Sequence, residues 1–124
     1  MRILIVEDDS EARGFLMGIL RAAGSNVEGY ENLCDAVRSM MRERCDLLVL
    51  DLQQPGLPCE TALSLLRQVA PEVPVVLTTA DPGGRNAARG ARAGAFRVVA
   101  KPFDAAEVLD AVHGARLYGR QAPA

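Results

Sequence analysis

Three carboxylates, a hydroxyl and an ammonium each stand at or just past the end of a short apolar run: Glu7 and Asp8 after Ile3-Leu4-Ile5-Val6, Asp51 after Leu47-Leu48-Val49-Leu50, Thr79 after Val75-Val76-Leu77, and Lys101 after Val98-Val99-Ala100. If these runs are parallel strands of one sheet, all of these side chains emerge at its carboxyl edge, where open α/β sheets place their ligands. Taken singly, each is an ordinary solvated loop group; at one edge they form a pocket. Carboxylates held close together repel, so such a cluster persists only by protonation or by holding a cation. Oxygen donors without His or Cys suit Mg²⁺, which usually takes one or two carboxylates plus a phosphate oxygen. Lys101 adds a positive charge that can pair with Asp51 at rest or with a phosphoryl oxygen in reaction. These are the parts of a phosphoryl transfer: a metal and a lysine neutralise equatorial oxygens while a carboxylate attacks in line. Asp51 is the expected nucleophile, forming an aspartyl phosphate. Thr79 would donate its hydroxyl to the new phosphoryl group and shift toward it, moving the loop and helix that follow.

The elements needed to position these groups are legible as periodicity. Strand-like runs begin near residues 2, 27, 46, 74 and 97, with helical stretches between them, so the chain reads as βα repeated five times. Runs of Leu and Val with little alternation suit strands covered by helices on both faces. The expected fold class is therefore α/β: a doubly wound parallel five-stranded sheet of order 2-1-3-4-5, with the pocket where the winding reverses. In segment 33–41, Leu33, Ala36, Val37, Met40 and Met41 predict one buried helix face. The third helix carries Ala62, Leu65, Leu66 and Val69 on one side and stops before Pro71, and Pro74 opens the next strand. Asp9 is expected to cap the first helix, and Asp81-Pro82 to begin the fourth as cap and first-turn proline. Gly83, Gly84 and Gly90 would weaken that fourth helix by about 1 kcal/mol each. In the last helix Asp104 caps, Glu107 reaches back, and Ala105, Val108 and Val112 face inward.

The 124 residues suit one domain with a real core. A formal net charge of -2 offers no general pull toward nucleic acid or anionic membrane, so output is expected to pass through a protein partner. Cys34, Cys45 and Cys59 fit neither a disulfide framework nor paired zinc spacing, which predicts reduced thiols in the cytoplasm. The N-terminal apolar run is too short for a signal peptide or a membrane span. Nucleotide binding lacks both a GxxxxGK loop and a GxGxxG turn. His113, the single histidine, is expected to play a plain surface or half-buried role. Arg85, Arg89, Arg92 and Arg97 make one local stretch basic, most simply a hydrated face.

Ile5-Val6-Glu7-Asp8-Asp9, Leu50-Asp51 followed by Pro55-Gly56, Thr79-Ala80, Gly94-Ala95 and Lys101-Pro102-Phe103 together resemble the receiver domain of two-component response regulators, over nearly the whole chain. The resemblance implies a flavodoxin-like, CheY-like fold and a phosphoacceptor switch, not a classical enzyme. It implies that Asp51 takes phosphate from a sensor histidine kinase or phosphotransfer protein and passes the signal to a downstream effector or fused output domain, with a homodimer as an option. Glu7 and Asp8 become the acidic pair for Mg²⁺, Asp8 a direct ligand, and the Gln53 main-chain carbonyl completes the shell. Lys101-Pro102 becomes a cis peptide. Thr79 is paired in the family with an aromatic switch three positions before the lysine; Val98 occupies that position, so coupling to the output face is expected to run differently. Gln53 and Pro58-Cys59-Glu60 also depart from the family pattern. Residues 1–118 are expected to form the receiver domain and 119–124 a tail or linker. The rival readings are a phosphorylation-independent interaction module on the same fold, and an aspartate-nucleophile phosphatase, which needs a general acid where Gln53 stands.

Overall fold

The computed structural model describes residues 1–54 and 56–121, with residues 118–121 described by their backbone alone. Pro55 of the Pro55-Gly56 motif and residues 122–124 of the expected 119–124 tail lie outside the described residues. Strands and helices alternate throughout: β1 (Arg2–Val6), α1 (Ser10–Ala22), β2 (Asn26–Tyr30), α2 (Leu33–Arg42), β3 (Leu47–Asp51), α3 (Cys59–Val69), β4 (Val75–Thr79), α4 (Arg85–Arg92), β5 (Arg97–Ala100) and α5 (Ala105–Gln121). The strands form one sheet of order β2-β1-β3-β4-β5, as expected, with every neighbouring pair parallel. Helix α5 runs to Gln121, so the expected boundary at residue 118 falls inside it.

Alternation along each strand sends side chains to two separate cores. Leu4, Val6, Leu48, Leu50 and Leu77 pack with Leu33 and Ala36 of α2, Ala62, Leu63 and Leu66 of α3, and Ala87 of α4. Ile3, Ile5, Leu47, Val49, Val76 and Val99 pack on the other side with Leu16 and Leu20 of α1 and with Val108, Ala111, Val112 and Ala115 of α5. Helices thus cover both faces, which is why the strands read as continuous apolar runs.

Several helix faces turn differently from the sequence reading. Met41 is 75% exposed, so the buried stripe of α2 is Leu33 and Ala36 with Val37 and Met40 half-buried. In α3 the inward positions are Cys59, Ala62, Leu63 and Leu66, while Leu65 and Val69 face solvent. Ala105 is exposed, and Ala111 and Ala115 take the interior of α5 alongside Val108 and Val112. The Asp81-Pro82 pair opens a turn instead of a helix: the Gly84 amide donates to the Asp81 carbonyl at 3.1 Å, and Gly84 is the N-cap of α4 without a side-chain bond. A side chain at Gly84 would collide with the Asp81 carboxylate. Of the three glycines expected to weaken α4, only Gly90 lies within it, where a Cβ would run into Leu77 and come within 3.1 Å of Cys59 Sγ. Gly90 therefore sets the close approach of α4 to the sheet.

Replacing Gly90 by Val is expected to destabilise the domain by about 1–3 kcal/mol through overpacking. Gly18→Ala, in α1 with nothing within 4 Å of the new methyl group, is expected to stabilise it by up to about 1 kcal/mol. Urea unfolding curves measure both; a Gly90→Val protein as stable as wild type would mean that α4 is not seated as described.

Candidate functional site

Each polar group of the site is positioned by the end of a strand. The β1–β2 ladder runs one residue past β1, because the Glu7 amide donates to the Tyr30 carbonyl at 2.9 Å. Arg13 of α1 reaches back to donate to the Glu7 carbonyl at 2.8 Å, and the Asp9 carboxylate accepts from the Ala12 amide at 3.1 Å as the expected N-cap of α1. Asp51 is the last residue of β3, opposite Thr78 of β4. Its Oδ1 accepts from the Gln53 amide at 3.1 Å, which fixes the carboxylate against its own loop. On the far side, the Lys101 amide donates to the Thr79 carbonyl at 2.7 Å, and Lys101-Pro102 is cis, as the resemblance implies.

These ladders bring the early acidic pair, Asp51 and Lys101 together. Glu7, Asp8 and Asp51 each offer a carboxylate oxygen, all within 4.8 Å of one another. The Lys101 ammonium lies 3.5 Å from Asp51 Oδ2 and makes a short ion pair with Glu7 Oε1. Glu7 and Asp51 are buried, whereas Asp8 is exposed at the mouth. Burial, followed by the hydrogen bond with Asp51 and the repulsion between the two carboxylates, pushes the Glu7 carboxyl above its ordinary value, although Lys101 pulls the other way. Burial works to lower Lys101, but its hydrogen bond to Glu7 and the fields of Asp51 and Glu7 outweigh this and leave it raised. Glu7 Oε2 is buried with no hydrogen-bond partner among the described residues. An orphaned buried oxygen costs free energy unless something positive meets it. An all-oxygen donor set with that orphan on its inner side and an exposed carboxylate at its entrance fits a hard divalent cation such as Mg²⁺.

The raised Glu7 value carries a pH signature. A folded value above the unfolded one means that the native state binds this proton more tightly, so stability falls as pH rises through the interval between the two values. Lys101, also raised, contributes a term of the same sign in a more alkaline window: its stabilisation is complete below the ordinary lysine value and is lost as pH rises through the raised one. In chelator-treated protein, Glu7→Gln is expected to gain thermal midpoint relative to wild type as pH climbs from the ordinary glutamate value toward neutrality. Wild type gaining on the variant over that interval would contradict this electrostatic picture.

Thr79 and Gln53 sit to one side of the carboxylates, lining a cavity of about 310 Å³ with Leu52, Asp81, Gly84, Arg85, Asn86 and Arg89. The Thr79 hydroxyl is buried and accepts from the Asp81 amide at 3.0 Å. Val98, in β5 opposite Leu77, is half-buried against the α2–α4 core. His113 is exposed on α5, as expected. The cysteines are free thiols; burial holds Cys45 at about 11 and Cys59 above its ordinary value. Among the described residues, no helix is long and apolar enough to cross a membrane. Two features were not legible in the sequence: the Lys101–Glu7 pair and the Arg13 bond. The long lysine stem lets one ammonium serve both carboxylates, and only the fold shows which lies nearer.

The family model for the response regulator receiver domain matches residues 3–113. Response regulator protein FleR of Pseudomonas aeruginosa is 32% identical over 111 residues, which take in 90% of this chain and 24% of FleR. Transcriptional regulatory protein PrrA of Mycobacterium tuberculosis is 33% identical over 108 residues, 87% of this chain and 46% of PrrA. Among solved structures, the receiver domain of sensor histidine kinase PA1611 from Pseudomonas aeruginosa, described with a magnesium ion coordinated in its active site cleft, is 30% identical at a TM-score of 0.78, covering 88% of this chain and 91% of that one. The chain therefore spans less than half the length of these two curated relatives. With a parallel sheet in the order expected of a receiver, an acidic pocket at its carboxyl edge and a family match over most of its length, this chain belongs to the receiver domains of two-component response regulators, which are signalling switches and not classical enzymes.

Proposed function

We propose that Asp51 is the phosphoacceptor of this switch, receiving its phosphoryl group from the phosphohistidine of a sensor kinase or phosphotransfer protein. The observation that carries this reading is the cluster of Glu7, Asp8 and Asp51 oxygens within 4.8 Å, with the Lys101 ammonium between Glu7 and Asp51. An Asp51 oxygen attacks phosphorus in line; the O–P bond forms as the N–P bond breaks, and the electron pair leaves with the histidine nitrogen. Lys101 exchanges part of its hold on the carboxylates for a phosphoryl oxygen. Thr79, whose oxygen already accepts from the Asp81 amide, keeps its own hydrogen for the phosphoryl group. The side chains of Glu7, Asp8 and Asp51 and the main-chain carbonyl of Gln53 would hold Mg²⁺, which supplies neutralisation of the charge on the transferring oxygens.

Residues 1–118 would act as the receiver unit in the cytoplasm, with the segment from 119 leading to a partner or an output domain. Modification would change affinity for a downstream effector protein, not for nucleic acid or membrane, given the net charge of -2. A phosphorylation-independent interaction module is the second reading, favoured by Val98, which places a small aliphatic group where a switch would swing an aromatic ring. Amide NMR shifts on adding Mg²⁺ with beryllofluoride distinguish the two. The phosphoacceptor reading expects changes around Asp51, Thr79 and Lys101 in wild type and none in Asp51→Ala; an unresponsive wild type would leave the interaction module.

A further inference from the structure

Thr78 is 2% exposed, and its hydroxyl oxygen meets no hydrogen-bond partner among the described residues. A buried hydroxyl without a partner costs free energy that a valine of the same shape would not, which asks what meets it in another state of the site. The sheet register narrows the answer. Asp51 pairs with Thr78 and Thr78 with Val99, while Val6 pairs with Leu50, so Glu7, Asp51, Thr78 and Val99 form one row across the sheet. Register partners share a face, and this row lies two residues beyond Ile5, Val49 and Val76, which pack toward α1 and α5. Lys101, two residues beyond Val99, belongs to the same face. It starts from β5, yet its ammonium lies 3.5 Å from Asp51 Oδ2 and pairs with Glu7 Oε1. Strand β4 stands between β5 and β3, and neighbouring strands are about 4.8 Å apart. The flexible lysine stem therefore crosses β4 to reach the carboxylates. On the crossed face stand Thr78 and, beyond the strand, Ala80, which has no polar side chain. Of the two, Thr78 alone can bond an ammonium.

Two cations compete for one set of carboxylates. Glu7 Oε2, in the same row, is orphaned as well, and a divalent ion meeting it among the Glu7, Asp8 and Asp51 oxygens would repel the ammonium already there. The stem of Lys101 leads that ammonium back over β4, toward Thr78. A hydroxyl oxygen can accept from it, and the hydroxyl hydrogen is then left for Asp51, the register partner of Thr78. We propose that Thr78 is a positioning residue for Lys101: its hydroxyl receives the ammonium when a divalent cation takes the carboxylates, and holds it beside Asp51 for the incoming phosphoryl group. The inference rests on the phosphoacceptor reading above and adds to it a residue that acts only through Lys101.

The test follows Mg²⁺ binding by amide NMR shifts and thermal melts in wild type, Thr78→Val, Thr78→Ser, Lys101→Met and Lys101→Met/Thr78→Val. Without Mg²⁺, Thr78→Val is expected to melt no lower than wild type, since the oxygen it loses has no partner at rest. It is expected to bind Mg²⁺ about 10-fold more weakly, the effect of one hydrogen bond to a charged group. Thr78→Ser, which keeps the hydroxyl, is expected to bind as wild type does. In the Lys101→Met background, adding Thr78→Val is expected to change Mg²⁺ affinity by less than about 2-fold, because the ammonium through which the hydroxyl acts is gone. Equal affinity in wild type and Thr78→Val, an equal loss in Thr78→Ser, or the full loss persisting in the Lys101→Met background would each overturn the role of Thr78 and leave the phosphoacceptor reading standing. A metal-free Thr78→Val that melts well below wild type would do the same, by showing that the hydroxyl is already bonded at rest. A wild type that shows no response to Mg²⁺ would bring down the metal site of the phosphoacceptor reading, and this inference with it.

Discussion

Asp51→Asn is expected to lower phosphoryl incorporation to background, a loss of at least about 10³-fold against wild type, because the variant has no anionic oxygen to attack phosphorus. The substitution is mild in every other respect. Asparagine keeps an oxygen for the Gln53 amide, now 3.1 Å from Asp51 Oδ1, and removing one member of a crowded carboxylate group relieves repulsion. Metal-free Asp51→Asn should therefore be at least as stable as wild type. Its response to Mg²⁺ should shrink, whereas wild type at a hundredfold excess of Mg²⁺ over its dissociation constant gains about 2.7 kcal/mol. Phosphoryl incorporation from a small acyl phosphate and thermal melts with and without Mg²⁺ separate the two effects. Labelling of Asp51→Asn at the wild-type level would place the acceptor elsewhere.

The second large effect belongs to Lys101→Met. Its ammonium is the only cation within ion-pair distance of Glu7 and Asp51 among the described residues, and it retains 23% side-chain exposure beside partners at 1% and 5%. Removing one member of a fully buried pair costs about 3–5 kcal/mol; partial exposure of the lysine brings the expected loss here to about 2–3 kcal/mol. Phosphotransfer should slow by about 10²- to 10³-fold, the size of effect seen when one preorganised positive group is taken from a transition state. Mg²⁺ should bind the variant more tightly and restore much of the lost stability, since the metal and the ammonium answer the same excess of negative charge. Rapid-mixing kinetics and metal titrations test this pair of opposed effects; normal phosphotransfer in the variant would refute the role given to Lys101.

The sheet and its edge were readable because each strand is an unbroken apolar run ending in a polar residue, and parallel order then leaves little freedom for where Glu7, Asp8, Asp51 and Lys101 go. Helix faces were less readable, for a geometric reason. In α3, Ala62, Leu65, Leu66 and Val69 fit the helical period as well as Cys59, Ala62, Leu63 and Leu66 do, and the second stripe is the one the sheet covers. Overlapping stripes of similar residues cannot be ranked by period alone. The helical period points Met41 and Ala105 inward for the same reason, although both are exposed and neighbouring positions supply the packing. At α4 a cap-like Asp81-Pro82 competed with a turn closed by Gly84, and only the backbone hydrogen bond from Gly84 to Asp81 decides between them. The double duty of Lys101 was hidden because spacing places a side chain at an edge without saying which of two carboxylates its flexible stem will meet.

On the reading proposed above, the aspartate ending β3 takes up a phosphoryl group with the help of the acidic pair and the lysine, a step open to direct measurement. It is tested most directly by incubating the protein with acetyl phosphate and Mg²⁺, quenching in acid, and mapping the modified peptide by mass spectrometry. The expected result is a single phosphoryl adduct on Asp51, stable in acid, lost in mild base and absent when Mg²⁺ is chelated. An unmodified protein, or an adduct on any other residue, would contradict the account.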